Sequence, residues 1–144
     1  AEHLSRELAG DGEGATKLME CVVDHAPTEA VAKSVALSVI NSSLLKAAIF
    51  AADANWGRIL CAIGYAEGDF DISKVEVVLS SSKGSVKVCE NGAGVDFSED
   101  EAFKILSEDE IVIRIDMHDG ADKSVAWGCD LTYEYVKINA EYRS

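Results

Sequence analysis

The residues best placed to do chemistry lie in the stretch Asp11-Gly12-Glu13-Gly14-Ala15-Thr16-Lys17. It sets a carboxylate among glycines immediately before a strand-like run. Glycine has no Cβ, so backbone and ligand can approach closely, and such a segment can form a pocket wall that presents Glu13. Spacing alone also allows a plain glycine-rich turn, and by itself it favours the turn. Gly10 to Ala15 fits the letter of a dinucleotide fingerprint, but a helix is expected before it and a strand after it. Two carboxylates would also face the pyrophosphate, so that reading is rejected. A second stretch, Asp53-Ala54-Asn55-Trp56-Gly57-Arg58-Ile59-Leu60, has the form of a capped helix start. A cation in the first helical turn is slightly disfavoured, so Arg58 is expected to pair with a carboxylate, either structural or on a substrate.

Other constellations are weaker. Asp116, His118, Asp119 and Asp122 could be drawn as a metal cluster, but they fall where a strand gives way to a loop, and polar loop residues explain them more simply. His118 and Cys129 could act as base and nucleophile only if the fold joined them, and nothing in the sequence does. Asp69, Asp71 and Ser73 begin like a calcium loop, yet Lys74 stands where glycine is needed and Ser80 where glutamate is needed. No metal site is expected. Trp56 and Trp127 read as core anchors.

The elements that must position these residues follow from periodicity. Residues 1–9 have helical spacing, with Leu4 and Leu8 one turn apart, and no cap precedes them. Met19, Cys21 and Val23 alternate with Glu20, Val22 and Asp24, which predicts a half-buried strand over 17–24. Thr28 to Asn41 is predicted as a helix with the stripe Val31, Val35 and Val39. Leu44 to Ala51 is apolar and too short for periodicity to separate helix from strand. Asp53 or Asn55 can cap the next helix, whose buried face would be Trp56, Ile59, Leu60 and Ile63. Val75 to Leu79 and Val86 to Cys89 read as strands joined by a loop over 80–84, and Asn91-Gly92 is a turn signal. Ser98 and Glu101 form a capping box. Ile111, Ile113, Ile115 and Met117 give the clearest strand, and Val125 to Cys129 gives another. Leu131, Tyr135, Ile138 and Tyr142 return to helical spacing. The expected fold is α+β: a mixed, largely antiparallel sheet with helices packed on its faces. The 144 residues are read as a single domain, with a weak seam near Gly68.

Composition narrows the function classes. The net charge of −13 would repel nucleic acid and anionic membrane surfaces. No apolar run approaches the ~20 residues that cross a bilayer, and no leader pattern is visible. Cys21, Cys61, Cys89 and Cys129 form no Cys-x-x-Cys pair and are expected to be reduced thiols in a cytoplasmic setting.

Taken together, several stretches resemble the C-terminal part of the bifunctional ornithine acetyltransferase / glutamate N-acetyltransferase family of arginine biosynthesis. They are the 11–17 motif, Ala48 to Phe50, Asp53 to Leu60 with Ala62 to Tyr65, Ala126 to Thr132, and Tyr135 to Arg143. They occur in the family's order along the whole chain, while residues 68–95 show only a general likeness. The resemblance implies a precursor that cuts itself before a threonine to give an α chain and a β chain. The new N-terminal threonine is the nucleophile of a ping-pong transfer from N-acetylornithine to glutamate, and some members also accept acetyl-CoA as acetyl donor. No other cofactor is implied.

This chain lacks the cleavage motif and its threonine, and Thr16, Thr28 and Thr132 lie in other contexts. The resemblance therefore implies a C-terminal portion of a β chain. Its catalytic threonine would lie upstream, and its partners would be the α chain and the rest of the β chain in a heterotetramer or larger. Alone it is expected to be inactive. Three family substrate-binding positions map here: Glu13, Asn139 and Ser144, the last standing where the family often ends in threonine. Taken without the resemblance, Asn139 would be a solvent-facing polar residue and Ser144 a chain end. The alternatives are a non-catalytic subunit-assembly module and a small-molecule binding domain for cationic amino acids, which the acidity would suit.

Overall fold

The computed structural model describes residues 17–129. A six-stranded sheet has the order β4-β3-β2-β5-β1-β6, with β1 at Leu18–Ala26, β2 at Glu76–Ser81, β3 at Gly84–Glu90, β4 at Ala93–Gly94, β5 at Glu110–Asp116 and β6 at Asp122–Cys129. β1 and β5 run parallel; the other neighbouring pairs are antiparallel. Four helices are described: α1 at Glu29–Ile40, α2 at Ser43–Phe50, α3 at Trp56–Gly64 and α4 at Glu99–Leu106. The α+β expectation holds.

Alternation decides which face of the sheet is covered. Met19, Cys21 and Val23 of β1, Ile111, Ile113 and Ile115 of β5, and Val77 and Leu79 of β2 are fully or almost fully buried. The registers place these residues side by side on one face. Helix α1 packs on β1 and β6, and α4 packs on β2 and β3. Gly128 of β6 lies directly beneath Ile40 of α1, where a Cβ would strike the isoleucine side chain. The described helices thus share one face, and their apolar residues join a single core cluster with the strands. The opposite face carries Glu20, Val22, Asp24, Glu76, Val78, Val112, Arg114 and Asp116, with Arg114 donating to Asp24 at 3.1 Å and Lys87 pairing with Glu76 at 3.3 Å.

Local chemistry fixes the ends of the elements. Thr28, Ser42, Asn55 and Ser98 cap the four helices, each accepting from the backbone N–H three residues on. The Ser42 cap resolves the ambiguous apolar segment as helix α2. The predicted five-residue loop between β2 and β3 shrinks to Ser82 and Lys83, because Ser81 and Gly84 already pair across the strands. Asn91 and Gly92 both take positive φ, 52° and 71°, the geometry of a tight hairpin turn, and they return the chain as the short β4. Trp56, expected in the core, is 40 % exposed; its indole lies over Gly94, where only a residue without Cβ fits. No described helix is long and apolar enough to cross a membrane.

Ile113 sits on a central strand with 0 % exposure. Ile113→Ala is expected to cost about 2–5 kcal/mol of stability, read as a lowered urea midpoint. A cost below about 1 kcal/mol would show that β5 does not occupy the core.

Candidate functional site

The sequence-derived candidates Glu13, Asn139 and Ser144 lie outside the described residues. What the structure supplies is where the two segments bearing them join the fold. Residues 11–16 lead into Lys17 and β1, and residues 130–144 follow β6. In the antiparallel register of these strands Leu18 is the partner of Cys129. Directly opposed residues in such a ladder have Cα atoms about 4.5–5.5 Å apart. Both segments therefore join the domain at one corner of the sheet.

That corner is pinned. The Lys17 ammonium donates to the Ile49 carbonyl at 2.7 Å and to the Leu106 carbonyl at 2.6 Å. Ile49 is in the last turn of α2 and Leu106 closes α4, so one cation sits at the C-terminal, negative ends of two helix dipoles. The Leu18 N–H adds a bond to the Asp109 carbonyl at 2.7 Å. In the sequence Lys17 stands inside a motif with no role of its own. The only available signal was its place between the glycines and the first strand.

The opposite end of the sheet gathers most of the other charged candidates. Asp116 accepts from the His118 backbone N–H at 2.9 Å, and its carboxylate is 3.0 Å from His25 Nδ1. Lys74 donates to Asp119 at 3.0 Å. His25 and His118 both have positive φ. These exposed contacts brace the turns leaving β1 and β5, and among the described residues no group of three or more His, Cys, Asp or Glu could hold a metal ion. His118 precedes β6 and Cys129 ends it, so a strand of roughly 25 Å separates them, too far for a base and nucleophile. Asp71 caps the short 3-10 turn Ile72–Lys74, accepting from the Ser73 N–H at 3.0 Å and the Ser73 hydroxyl at 2.6 Å; these bonds hold its carboxyl below its ordinary value.

Arg58 departs from expectation. Its guanidinium donates to the Leu44 carbonyl at 2.8 Å, a backbone oxygen rather than a carboxylate. Asn55 both caps α3 and donates to Asp53 at 3.3 Å. The approach of α3 to the start of α2 brings this carbonyl within reach, so the Arg58 contact joins two helices.

Residues 1–144 match the ArgJ family throughout. The chain belongs to the ArgJ family. It is 54 % identical over 141 residues to the arginine biosynthesis bifunctional protein ArgJ of Caldanaerobacter subterraneus subsp. tengcongensis, covering 98 % of this chain and 35 % of that protein. It is 47 % identical to the ArgJ of Thermotoga neapolitana, again over 98 % of this chain and 36 % of that protein. The chain thus spans about a third of the length of these relatives. A crystal structure of the arginine biosynthesis bifunctional protein argJ from Bacillus halodurans superposes with a TM-score of 0.89 at 42 % identity, over 98 % of this chain and 65 % of that one.

The cysteines of this ArgJ chain differ in access. Cys21 and Cys89 are buried and Cys61 is exposed. Burial pushes the Cys89 thiol up to about 11, and burial with the neighbouring Glu20 charge pushes Cys21 up as well. Thiolate is the reactive form. Alkylation near pH 8 should label Cys61 in the native protein and reach Cys21 and Cys89 only after denaturation, as read by peptide mass spectrometry. Native labelling of Cys21 would contradict the placement of β1 in the core.

Proposed function

We propose that this chain is the C-terminal part of the β chain of an acyltransferase that moves an acetyl group from N-acetylornithine to glutamate in arginine biosynthesis. Family membership supports the class. The observation that carries the reading is the shared corner: the segment bearing Glu13 and the segment bearing Asn139 and Ser144 spring from paired residues, Leu18 and Cys129. Two segments rooted side by side can contribute to one pocket at small cost in chain ordering.

In this reading a threonine on polypeptide upstream attacks the acetyl carbonyl through Oγ, and its own α-amine takes the hydroxyl proton. The carbon–nitrogen bond breaks. Ornithine leaves with that proton, and the acetyl group remains as an ester on the threonine. The glutamate amine then attacks the ester, loses a proton and departs acetylated, restoring the hydroxyl. Glu13 meets the amino end of ornithine, Asn139 offers an amide donor and acceptor, and Ser144 offers a hydroxyl. Acetyl-CoA can enter as an alternative acetyl donor. The complete enzyme is cytoplasmic and unites this segment with the α chain and the remaining β chain in a heterotetramer or larger. The segment alone is inactive, because the reactive hydroxyl is supplied from elsewhere.

In the complete enzyme, Glu13→Gln is expected to lower kcat/KM for N-acetylornithine about 10- to 100-fold, the loss of one charge-assisted hydrogen bond. The thermal midpoint should stay within about 2 °C, since a residue among turn glycines contributes little to a core. An unchanged kcat/KM would remove Glu13 from the site.

A further inference from the structure

We propose that the groove between α1 and the end of α3 is the surface through which two copies of this chain meet about a two-fold axis. The inference deepens the reading given above, in which the complete enzyme is a heterotetramer or larger, and it rests on that reading.

A stripe of α1 residues between Ala30 and Asn41 lines one side of this groove, and Tyr65 to Glu67 line the other; its volume is about 470 Å³. The stripe residues are spaced three and four apart and so share one face of the helix. Val31, Val35 and Val39 are buried on the side of α1 that packs on β1 and β6. The second wall runs the opposite way. The Ser38 hydroxyl donates to the Ala62 carbonyl at 2.5 Å, and a Cβ on Gly68 would strike Val31. Residues 62–68 therefore pass antiparallel along α1, and Tyr65 stands about midway. The groove is open to solvent: Leu37 is 42 % exposed and Tyr65 86 %.

Shape suits a second copy. A helix with apolar side chains on both faces is normally covered on both, and α1 is covered on one. Tyr65 is a projection and the groove beside it a hollow. A two-fold interface needs both on one patch, because each copy must offer what the other receives. Small Ala30 and Ser34 leave room for an incoming ring, and tyrosine is among the side chains that most often anchor interfaces. Charge agrees with shape. The chain carries −13 overall, so two copies repel over most of their surfaces. The groove is lined by one cation, Lys33, and one anion, Glu67, and neither side chain is held in an ion pair. The patch thus has no net charge, and each copy brings a cation and an anion of its own to the contact.

The test is the assembly state of the complete enzyme, read by native mass spectrometry and sedimentation velocity. Lys33→Glu leaves two anions and no cation in the patch, and Glu67→Lys leaves two cations and no anion. Each is expected to raise the dissociation constant between one αβ unit and another by about 10-fold or more, because like charges then face each other across the axis. Lys33→Glu combined with Glu67→Lys restores neutrality and should recover most of the loss. Tyr65→Ser should weaken the same step by about 10-fold or more, through loss of one aromatic anchor on each copy. All three side chains are exposed, and where Tyr65→Ser yields no folded enzyme the charge series decides alone. Assembly unchanged in every variant would overturn the interface, and so would single exchanges that weaken it with no recovery in the combined variant. Release of the α chain from the β chain, with β chains still paired, would assign the groove to the α chain and overturn the second-copy reading. Activity separates this inference from the reading beneath it. A tetramer that responds as expected but does not turn over N-acetylornithine would end the acyltransferase reading and leave the interface standing. An active enzyme of one α and one β chain at every concentration would overturn the interface alone.

Discussion

The structure depends on β1 lying inside the sheet, hydrogen-bonded to β5 on one side and β6 on the other. A one-residue slip of β1 would turn Met19, Cys21 and Val23 out of the core and bring Glu20, Val22 and Asp24 in. Burying two carboxylates in that layer would be prohibitive, so the register is strongly specified. The same register decides which residue of β6 faces the start of β1. The positions from which the flanking segments spring are thus fixed by hydrophobic burial in residues that take no part in chemistry.

The helices share one face, and this divides the molecule electrostatically. Charged residues of β1, β2 and β5 are left on the other face and at the far ends of the strands, where they pair: Arg114 with Asp24, Lys87 with Glu76, Lys74 with Asp119. Exposed pairs of this kind contribute little to stability, but they explain why the acidic and histidine residues around Asp116 amount to bracing. Asp116 and Asp119 each have a donor already, and the spacing suits turns rather than a ligand. The chain is strongly acidic overall, yet at the corner where β1 begins a cation faces helix carbonyls.

How legible was this in the sequence? Strand β5 was plain, because Ile111, Ile113 and Ile115 alternate without a break and all three are buried. The hairpin at Asn91-Gly92 was plain because few residue pairs accept two successive positive φ angles. The Ser98 cap was legible, and Asn55 was one of two candidates beside Asp53, since such a side chain acts within three residues of itself; the Thr28 and Ser42 caps were not read. Helix α2 was not, because a short apolar run carries no decisive period; the Ser42 cap settles it. The serines over 80–82 suggested a loop, although serine is tolerated at the exposed end of a hairpin. Arg58 was expected to find a carboxylate and found the Leu44 carbonyl, since the approach of two helices cannot be read from one-dimensional spacing. Glu13, Asn139 and Ser144 came from family resemblance; periodicity alone would have left them as turn, surface and terminus.

Lys17 marks the limit of sequence reading. Its type and place were visible, but its meaning depends on two helices ending beside β1, one 32 and one 89 residues further along the chain. Such a residue is easily taken for a solvent-facing lysine at the head of a strand. A cation at the negative ends of two helices is held by donors' geometry and by dipoles together, and methionine can supply the packing of its stem but neither of those.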